Sequence, residues 1–169
     1  MYSGRVDGMT DAQWLDDREQ RAWRGYLRMH ARLSVALHRQ LQTDSDLSLT
    51  DFAVLVQLTD AAESRVRVSD LARALQWEQS RTSHHLSRMQ RRGLVRRDEC
   101  PDDRRGAFIV LTADGRAAIE AAAPRHVQTV RRLVFDQLTQ AQVDALAAIA
   151  DRVSAAIDEQ EAGGDQLWV

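Results

Sequence analysis

The chain has 169 residues, a length that suits a single domain, with or without terminal extensions. Hydrophobic residues make up 44% and charged residues 28%, the balance of an ordinary soluble globular protein. No apolar run approaches the roughly 18 residues that a membrane span requires, and the N-terminal residues lack the apolar centre of a signal peptide. The sequence therefore predicts a cytoplasmic protein with no membrane partner. Its single cysteine excludes an internal disulfide.

The net charge of −2 conceals an uneven distribution. Residues 65–105 contain eleven arginines and six acidic residues, a net charge of +5, so the rest of the chain carries −7. This segregation indicates an anionic partner for the middle of the chain.

The N-terminal part of the chain is predicted to be mainly helical. After a flexible N-terminus (1–10), apolar residues spaced three and four apart predict a long helix over 11–41. A polar turn follows, and Thr50 or Asp51 is expected to cap a short helix over 52–62. Residues 66–68 are a candidate for a very short strand.

The next segment predicts a helix-turn-helix. Ser69 is expected to cap a short helix over 70–75, and a longer helix over 78–92 ends before Gly93, a residue typical of helix C-termini. Along the longer helix, three residues form the buried stripe: Thr82, Leu86 and Met89. Two helices joined by a tight turn form the helix-turn-helix motif.

Two predicted strands, 94–97 and 108–111, follow the longer helix directly. Between them lies a charged tip that contains Cys100, Pro101 and four consecutive charged residues, 102–105. Strands in this position make the motif a winged helix-turn-helix.

The C-terminal third predicts helices again. A helix is predicted to begin near Thr112 and to run through residues 116–123. Pro124 either kinks this helix or starts a new segment. Thr139 is expected to cap the last helix, and residues 162–169 are expected to form a loose tail. The terminal helices carry more apolar surface than the centre of the chain could cover, so they are expected to form a dimer interface, with packing on the centre alone as the alternative.

The outer face of helix 78–92 is unusual for a solvated helix. It is rich in short hydroxyl and amide side chains where better helix formers would be favoured. Such residues allow a helix to approach a surface closely, and Ser, Gln, Arg and His can all hydrogen-bond the edges of DNA bases. With the positive charge and the wing, this pattern indicates a DNA-binding helix.

These features together resemble the multiple antibiotic resistance regulator (MarR) family of winged-helix repressors. The resemblance lies in residues 69–75 (SDLARAL), 80–95 (SRTSHHLSRMQRRGLV) and 102–115 (DDRRGAFIVLTADG), and the order of elements matches over about residues 20–160. It implies a mainly α fold with a small β-hairpin wing. Dimerisation helices would lie at 11–48 and 112–161 and a DNA-binding lobe at 50–111, within a single domain overall.

The family's function implies roles for individual residues. The protein would be a homodimeric transcriptional regulator, and a repressor, on a double-stranded, pseudo-palindromic DNA operator. Base edges would be read by Arg81, Ser83 and His84. The DNA backbone would be contacted by Arg73, Gln79, Ser80, Ser87, Arg88 and Arg104. In the wing, Asp103 would orient Arg105 into the minor groove, where a narrow groove attracts arginine.

Members of this family are often released from DNA by small aromatic or anionic effectors, and the first helix offers a candidate pocket for one. The residues are Trp23, Arg24, Tyr26 and His30. An aromatic lining with an arginine for a carboxylate suits such a ligand. Aromatic residues at helical spacing are also typical of a dimer core, so both interpretations stay open.

Other chemistries find less support in the sequence. Cys100 is either an ordinary wing residue or a redox-sensitive thiol that switches DNA binding. His85, adjacent to His84 but on another face of the helix, is a packing residue or a sensor of pH or ligand. No spacing of ligands suggests a metal site, and no cofactor-binding or catalytic motif stands out, so the protein is not expected to be an enzyme.

Overall fold

The computed structural model describes residues 14–100 and 103–163, and for residues 103–105 it describes the backbone alone. The predicted flexible N-terminus (1–10) lies outside the described residues, as does the predicted tail from residue 164 onward. Those two predictions stay untested.

The elements follow the predicted order, including the candidate short strand of residues 66–68, which lies one residue earlier, at Arg65–Arg67. They are α1 (Asp17–Ser45), α2 (Leu49–Asp60), β1 (Arg65–Arg67), α3 (Val68–Ala74), α4 (Gln79–Arg91), β2 (Val95–Cys100), β3 (Asp103–Leu111), α5 (Ala113–Leu133) and α6 (Gln140–Ala162). Single 3₁₀ turns lie at Ala62–Ser64 and Phe135–Gln137. The mainly helical class with a small β wing is therefore confirmed.

The three strands form one antiparallel sheet in the order β1-β3-β2. Val66 lies opposite Ile109, and Val95 lies opposite Leu111. Since strand residues that face each other share one side of a sheet, these four side chains define the side that packs on the helices. The sheet thus ties the chain before α3 to the hairpin after α4.

The described residues divide into two units, those up to Ala36 and those from Leu37 onward. The second unit contains the hydrophobic core, to which α2, α3, α4, α5 and the sheet contribute. The core residues are Leu41, Leu47, Val54, Leu55, Leu58, Val68, Leu71, Leu86, Met89, Leu94, Val95, Ala107, Ile109, Leu111, Ile119 and Ala122. In the first unit, the described part of α1 leaves its large apolar side chains exposed.

The start of α2 differs from the prediction. Ser48, and neither Thr50 nor Asp51, is the N-cap, and its hydroxyl oxygen accepts the Asp51 N–H at 2.9 Å. The Asp51 carboxylate in turn accepts the Ser48 N–H at 2.9 Å. This reciprocal capping box satisfies two backbone donors at once, so the helix begins at Leu49, three residues before the predicted start.

The predicted Ser69 cap of α3 is also wrong. The N-cap residue is Arg67, with no side-chain capping bond, and α3 begins at Val68. Pairing of β1 with β3 fixes the chain up to Arg67, and Val68 is already buried in the core. Tertiary packing has therefore set this boundary in place of a side-chain cap.

The hairpin strands are longer than predicted. They extend to Cys100 on one side and from Asp103 on the other, with Asp98 opposite Phe108 and an irregular register at Glu99 and Cys100. Backbone pairing in an antiparallel ladder needs no apolar side chains, so the charged residues of the predicted tip continue the strands.

The C-terminal helices contain one correction and one confirmation. Pro124 lies inside α5, which continues as one helix to Leu133, so the chain does not start a new segment there. Pro124 is exposed, and the Glu120 carbonyl that it leaves without a donor belongs to an exposed residue as well. Thr139 caps α6 as predicted, in a capping box with Gln142.

Candidate DNA-binding surface

Helices α3 and α4 and the turn between them form a helix-turn-helix. The N–H groups of Leu75 and Trp77 donate to carbonyls of α3, those of Leu71 and Ala72, at 3.0 and 2.9 Å. Gln76 adopts a left-handed backbone conformation, with φ of 53°, which reverses the chain. The turn thereby brings the start of α4 against the end of α3.

The inner side of α4 is apolar and closed. Thr82 and Met89 are fully buried, and Leu86 is nearly so, as the sequence predicted. The Thr82 hydroxyl donates to the Glu78 carbonyl at 2.9 Å, which satisfies its only donor. Trp77 packs against the same core from the turn. With this side anchored, the opposite side of α4 is held outward.

The predicted DNA-contacting residues of α4 lie on that outward side. Of the three predicted base readers, Arg81 and His84 are exposed and Ser83 is half-buried. The predicted backbone contacts in the helix-turn-helix are all exposed: Arg73, Gln79, Ser80, Ser87 and Arg88. The geometry makes each of them accessible, and their contacts with DNA stay predictions.

Four of these side chains already have partners in the protein, and for Arg88 the partner is Nδ1 of His85, at 2.8 Å. The Arg81 guanidinium lies 6.0 Å from the centre of the Trp77 ring, a cation–π distance. Arg73 lies 3.4 Å from Asp70 on α3. The Ser87 hydroxyl donates to the Ser83 carbonyl at 2.9 Å, so it must exchange that bond before it can donate to a phosphate.

A buried cluster of ionic side chains contacts the inner side of α4. Its acidic member, Asp51, was not predicted as a functional residue. Asp51, at the start of α2, is 4% exposed. Its carboxylate accepts a hydrogen bond from Arg92 at 2.8 Å and lies 3.0 Å from Nε2 of His85. The His85–Asp51 pair is at ion-pair distance, although its direction is not that of a good hydrogen bond. His85 is thus buried, which agrees with the packing role, one of the two roles that the sequence left open.

Burial alone would raise the pKa of Asp51. The contact with His85, the N–H and hydroxyl of Ser48 and the Arg92 guanidinium outweigh that effect, so the pKa lies well below its ordinary value of 3.8. Asp51 is therefore a fixed negative charge that links α2 to the middle and the C-terminal end of α4. The sequence signal for it was the Ser-x-x-Asp capping pattern at residues 48–51.

An open cleft of about 340 Å³ lies beside the first turns of α4. Its lining combines aromatic, cationic and hydroxyl groups: Thr50, Trp77, Ser80, Arg81, His84, His85 and Arg88. Two arginines at one cleft favour an anion, which agrees with the excess of positive charge in residues 65–105.

The first strand of the wing, β2, carries charged side chains. Arg96 and Asp98 form an ion pair on β2, and Arg97 is exposed. The side chains of the predicted wing residues Asp103, Arg104 and Arg105 lie outside the described residues, although their backbone belongs to β3.

Cys100 is too buried to favour the alternative role of a redox-sensitive thiol. It is 5% exposed at the end of β2. Oxidation of a thiol requires access for the oxidant, so a buried cysteine is a poor sensor. The structure favours the ordinary structural role for this residue.

The wing is joined to α5 by a tight contact. The Thr112 hydroxyl oxygen lies 2.6 Å from the Gly93 carbonyl oxygen and accepts the Gly115 N–H at 2.9 Å. Gly93, with φ of 75°, has a backbone conformation that favours glycine. The Leu-Thr-x-x-Gly segment thus connects the end of α4, the start of β2 and the first turn of α5.

The candidate effector residues belong to the first unit. Trp23 and Tyr26 stack with ring centres 5.6 Å apart, and Tyr26 and His30 are 6.1 Å apart. The tryptophan and tyrosine are each about half exposed. Arg24 does not join this row, because its guanidinium donates to Gln20 one turn earlier.

Among residues 14–100 and 103–163, no group of three or more His, Cys, Asp or Glu side chains is placed to hold a metal ion. No helix within the described part of the chain is long and apolar enough to span a membrane.

The fold and this surface define a winged helix-turn-helix protein. Comparison with known proteins identifies the family. The sequence model of the MarR family matches residues 45–106. AbsC from Streptomyces coelicolor, a MarR family transcriptional regulator of known structure, is 38% identical, with a TM-score of 0.83 over 88% of this chain and 100% of AbsC. The chain belongs to the MarR family of transcriptional regulators.

Two further relatives support this assignment. Sco3205 from Streptomyces coelicolor, a MarR family regulator solved in complex with DNA, is 37% identical, with a TM-score of 0.83 over 86% of this chain and 91% of Sco3205. The transcriptional regulator HosA from Escherichia coli O111:H- is 34% identical over 79 residues. That match covers 47% of this chain and spans 57% of the length of HosA.

Proposed function

We propose that the protein is a sequence-specific repressor that binds double-stranded DNA as a homodimer and is released by a small-molecule ligand. The observation that carries this proposal is the outer side of α4, where exposed arginine, histidine, glutamine and serine side chains lie opposite a buried apolar side. A helix anchored in this way can enter the major groove, where such side chains hydrogen-bond base edges. The similarity to Sco3205, whose structure contains DNA, supports the same role here.

Within this proposal, α4 and the wing contribute differently. Arg81, Ser83 and His84 read base edges, while the other exposed polar residues of α3 and α4 hold the DNA backbone. The wing enters the flanking minor groove with Arg105, which Asp103 orients, and Arg104 contacts sugar or phosphate. The sign of the local charge supports this assignment, because residues 65–105 carry a net charge of +5.

The homodimer rests on the apolar surface of α6. Leu146, Ile149, Val153 and Ile157 are 40–60% exposed and recur at spacings of three and four residues, which places them on one side of the helix. A continuous apolar stripe of this size marks an interaction surface. A second copy of the chain is the partner that two-fold symmetric operator binding requires.

The release step rests on the aromatic row of Trp23, Tyr26 and His30. A flat aromatic or anionic compound matches these stacked rings. To act as an inducer it must bind one arrangement of the dimer more tightly than the DNA-bound one, because equal affinity would shift no population.

The test is a fluorescence anisotropy titration with a labelled duplex that contains the palindrome upstream of the protein's own gene. We expect tight binding to this duplex, weaker binding to a scrambled duplex of equal length, and a steep loss of affinity with salt. Equal affinity for the two duplexes would contradict the proposal.

A further inference from the structure

The side chain of His85 connects a surface arginine to a buried acid. His85 is 6% exposed and lies on the buried flank of α4, next to the exposed His84. Nη2 of Arg88 is 2.8 Å from its Nδ1, and Oδ1 of Asp51 is 3.0 Å from its Nε2. The Trp77 ring packs on the imidazole in a T-shaped arrangement, with ring centres 5.6 Å apart.

The partners of the imidazole determine its tautomer. A guanidinium can only donate hydrogen bonds, so Nδ1 of His85 must accept from Arg88. In the neutral ring the proton is then on Nε2, which faces the Asp51 carboxylate. The ring therefore offers an acceptor to the surface and a donor to the interior.

Asp51 is a fixed support for the His85 ring. It is buried, capped into the first turn of α2 by Ser48 and bonded to Arg92 at 2.8 Å. These contacts keep it ionised, with a pKa below its ordinary value. An anchored carboxylate on one side leaves little freedom for the ring between it and Arg88.

We propose that His85 is a positioning residue that holds Arg88 in the orientation in which it contacts a DNA phosphate, with Asp51 as its support. The inference rests on the proposed function and deepens it. One Nη group of Arg88 is used by His85, which leaves Nε and the other Nη to donate to phosphate oxygens. An arginine on the rim of an open cleft otherwise has many rotamers, and fixing it before binding removes an entropic cost from association.

Two near-isosteric variants of His85 each keep the role of one ring nitrogen and remove the role of the other. In His85→Asn the amide oxygen takes the place of Nδ1, so the acceptor for Arg88 is kept and the group facing Asp51 is lost. In His85→Gln the amide nitrogen takes the place of Nε2, so the donor toward Asp51 is kept and the acceptor for Arg88 is lost. Thermal unfolding checks that both variants remain folded.

The first test is a double-mutant cycle on operator affinity, measured by anisotropy with the labelled duplex described above. We expect His85→Gln to weaken binding by about three- to tenfold and to lower the salt dependence by roughly one phosphate contact. His85→Asn is expected to weaken binding less than His85→Gln does, since it keeps the acceptor for Arg88 and loses only the support from Asp51.

The effect of His85→Gln on operator affinity is then measured in two proteins that each carry a second substitution. In an Arg88→Ala protein the effect of His85→Gln should vanish, because the residue through which it acts is absent. In an Arg73→Ala protein, which lacks another proposed backbone contact distant in sequence from His85, the effect should persist in full. A loss of the same size in the Arg88→Ala background would overturn the proposal, since it would indicate general packing.

The second test needs no DNA. Nitrogen-15 relaxation at Nε of Arg88 in the free protein should report the most ordered side chain in the wild type, a less ordered one in His85→Asn and the most mobile one in His85→Gln. Unchanged order in His85→Gln would overturn the positioning role alone. A wild-type protein without selective DNA binding would instead overturn the proposed function, and with it the use of Arg88 on DNA.

Discussion

A β-carbon at position 115 would lie 2.0 Å from the carbonyl oxygen of Leu94, which is far inside any van der Waals contact. Gly115 therefore allows the first turn of α5 to sit directly on the backbone between α4 and β2. The Thr112 hydroxyl, which accepts the Gly115 N–H, fixes the same contact. Since the obstacle is backbone, the neighbouring chain cannot relax by changing a rotamer.

Gly115→Ala is expected to destabilise the protein by about 3 kcal/mol or more, because the added methyl group forces the wing and α5 apart. Urea unfolding followed by circular dichroism measures this change. Gly25→Ala is the matched control: a β-carbon at this position in α1 meets no atom within 4 Å. The control should raise stability by up to about 1 kcal/mol, as alanine does in a helix. Equal effects of the two substitutions would contradict the packing argument.

Asp51→Asn is expected to destabilise the protein by about 3 kcal/mol at pH 7, because it removes the charge that the buried His85 and Arg92 face. The folded state lowers the pKa of Asp51, so its stabilising contribution is present above the ordinary value of 3.8 and is lost as the pH falls below that value. The difference between the wild type and the variant should therefore narrow from pH 5 to pH 3 in urea titrations. A difference independent of pH over this range would contradict the assignment.

The sequence predicted elements whose signal is local. The apolar periodicity of α4 correctly placed Thr82, Leu86 and Met89 inside, and Gly93 correctly marked its end. The start of α2 was wrong although its signal is local, since the capping box of Ser48 and Asp51 lies within four residues. The start of α3 was wrong because it depends on the pairing of β1 with β3. Local propensity is only a weak guide where tertiary contacts set a boundary.

The ionic cluster under α4 could not be read from the sequence. Asp51 and Arg92 are 41 residues apart, and only the packing of α2 on the core brings them together. The adjacent pair His84 and His85 did indicate that one of the two faces inward, because neighbouring residues on a helix point about 100° apart. What the pattern lacked was the identity of the buried partner.

Ile149→Arg is expected to convert the proposed dimer to a monomer. The side chain is 60% exposed in the centre of the apolar stripe of α6, where a charge in a buried interface finds no partner. Sedimentation velocity at micromolar concentration gives the mass. Asp151→Arg is the control, since it places the same side chain about 200° around the helix. A dimeric Ile149→Arg protein would exclude the apolar stripe of α6 as the interface, and a monomeric control would show that loss of the dimer is not specific to this stripe.

Arg105→Ala is expected to weaken operator binding strongly while leaving stability unchanged. The reason is the loss of a guanidinium from the minor groove, where the negative potential is concentrated. Anisotropy titrations measure the affinity, and Asp103→Ala should produce a smaller loss if the acid only orients the arginine. Arg97→Ala, which removes an exposed arginine from the neighbouring strand, is the control for loss of charge alone. Equal losses in Arg97→Ala and Arg105→Ala would indicate a general electrostatic effect.

Arg81→Ala is expected to relax specificity more than it lowers overall affinity. An arginine that reads a guanine edge contributes about 1–3 kcal/mol at one base pair, while a phosphate contact contributes to all sequences alike. Titrations against operators with single base changes should show that the variant loses discrimination at one position in each half-site. Arg88→Ala should weaken binding to every operator by a similar factor and reduce the salt dependence. If the two variants gave the same profile, the division of α4 into base-reading and phosphate-contacting residues would be wrong.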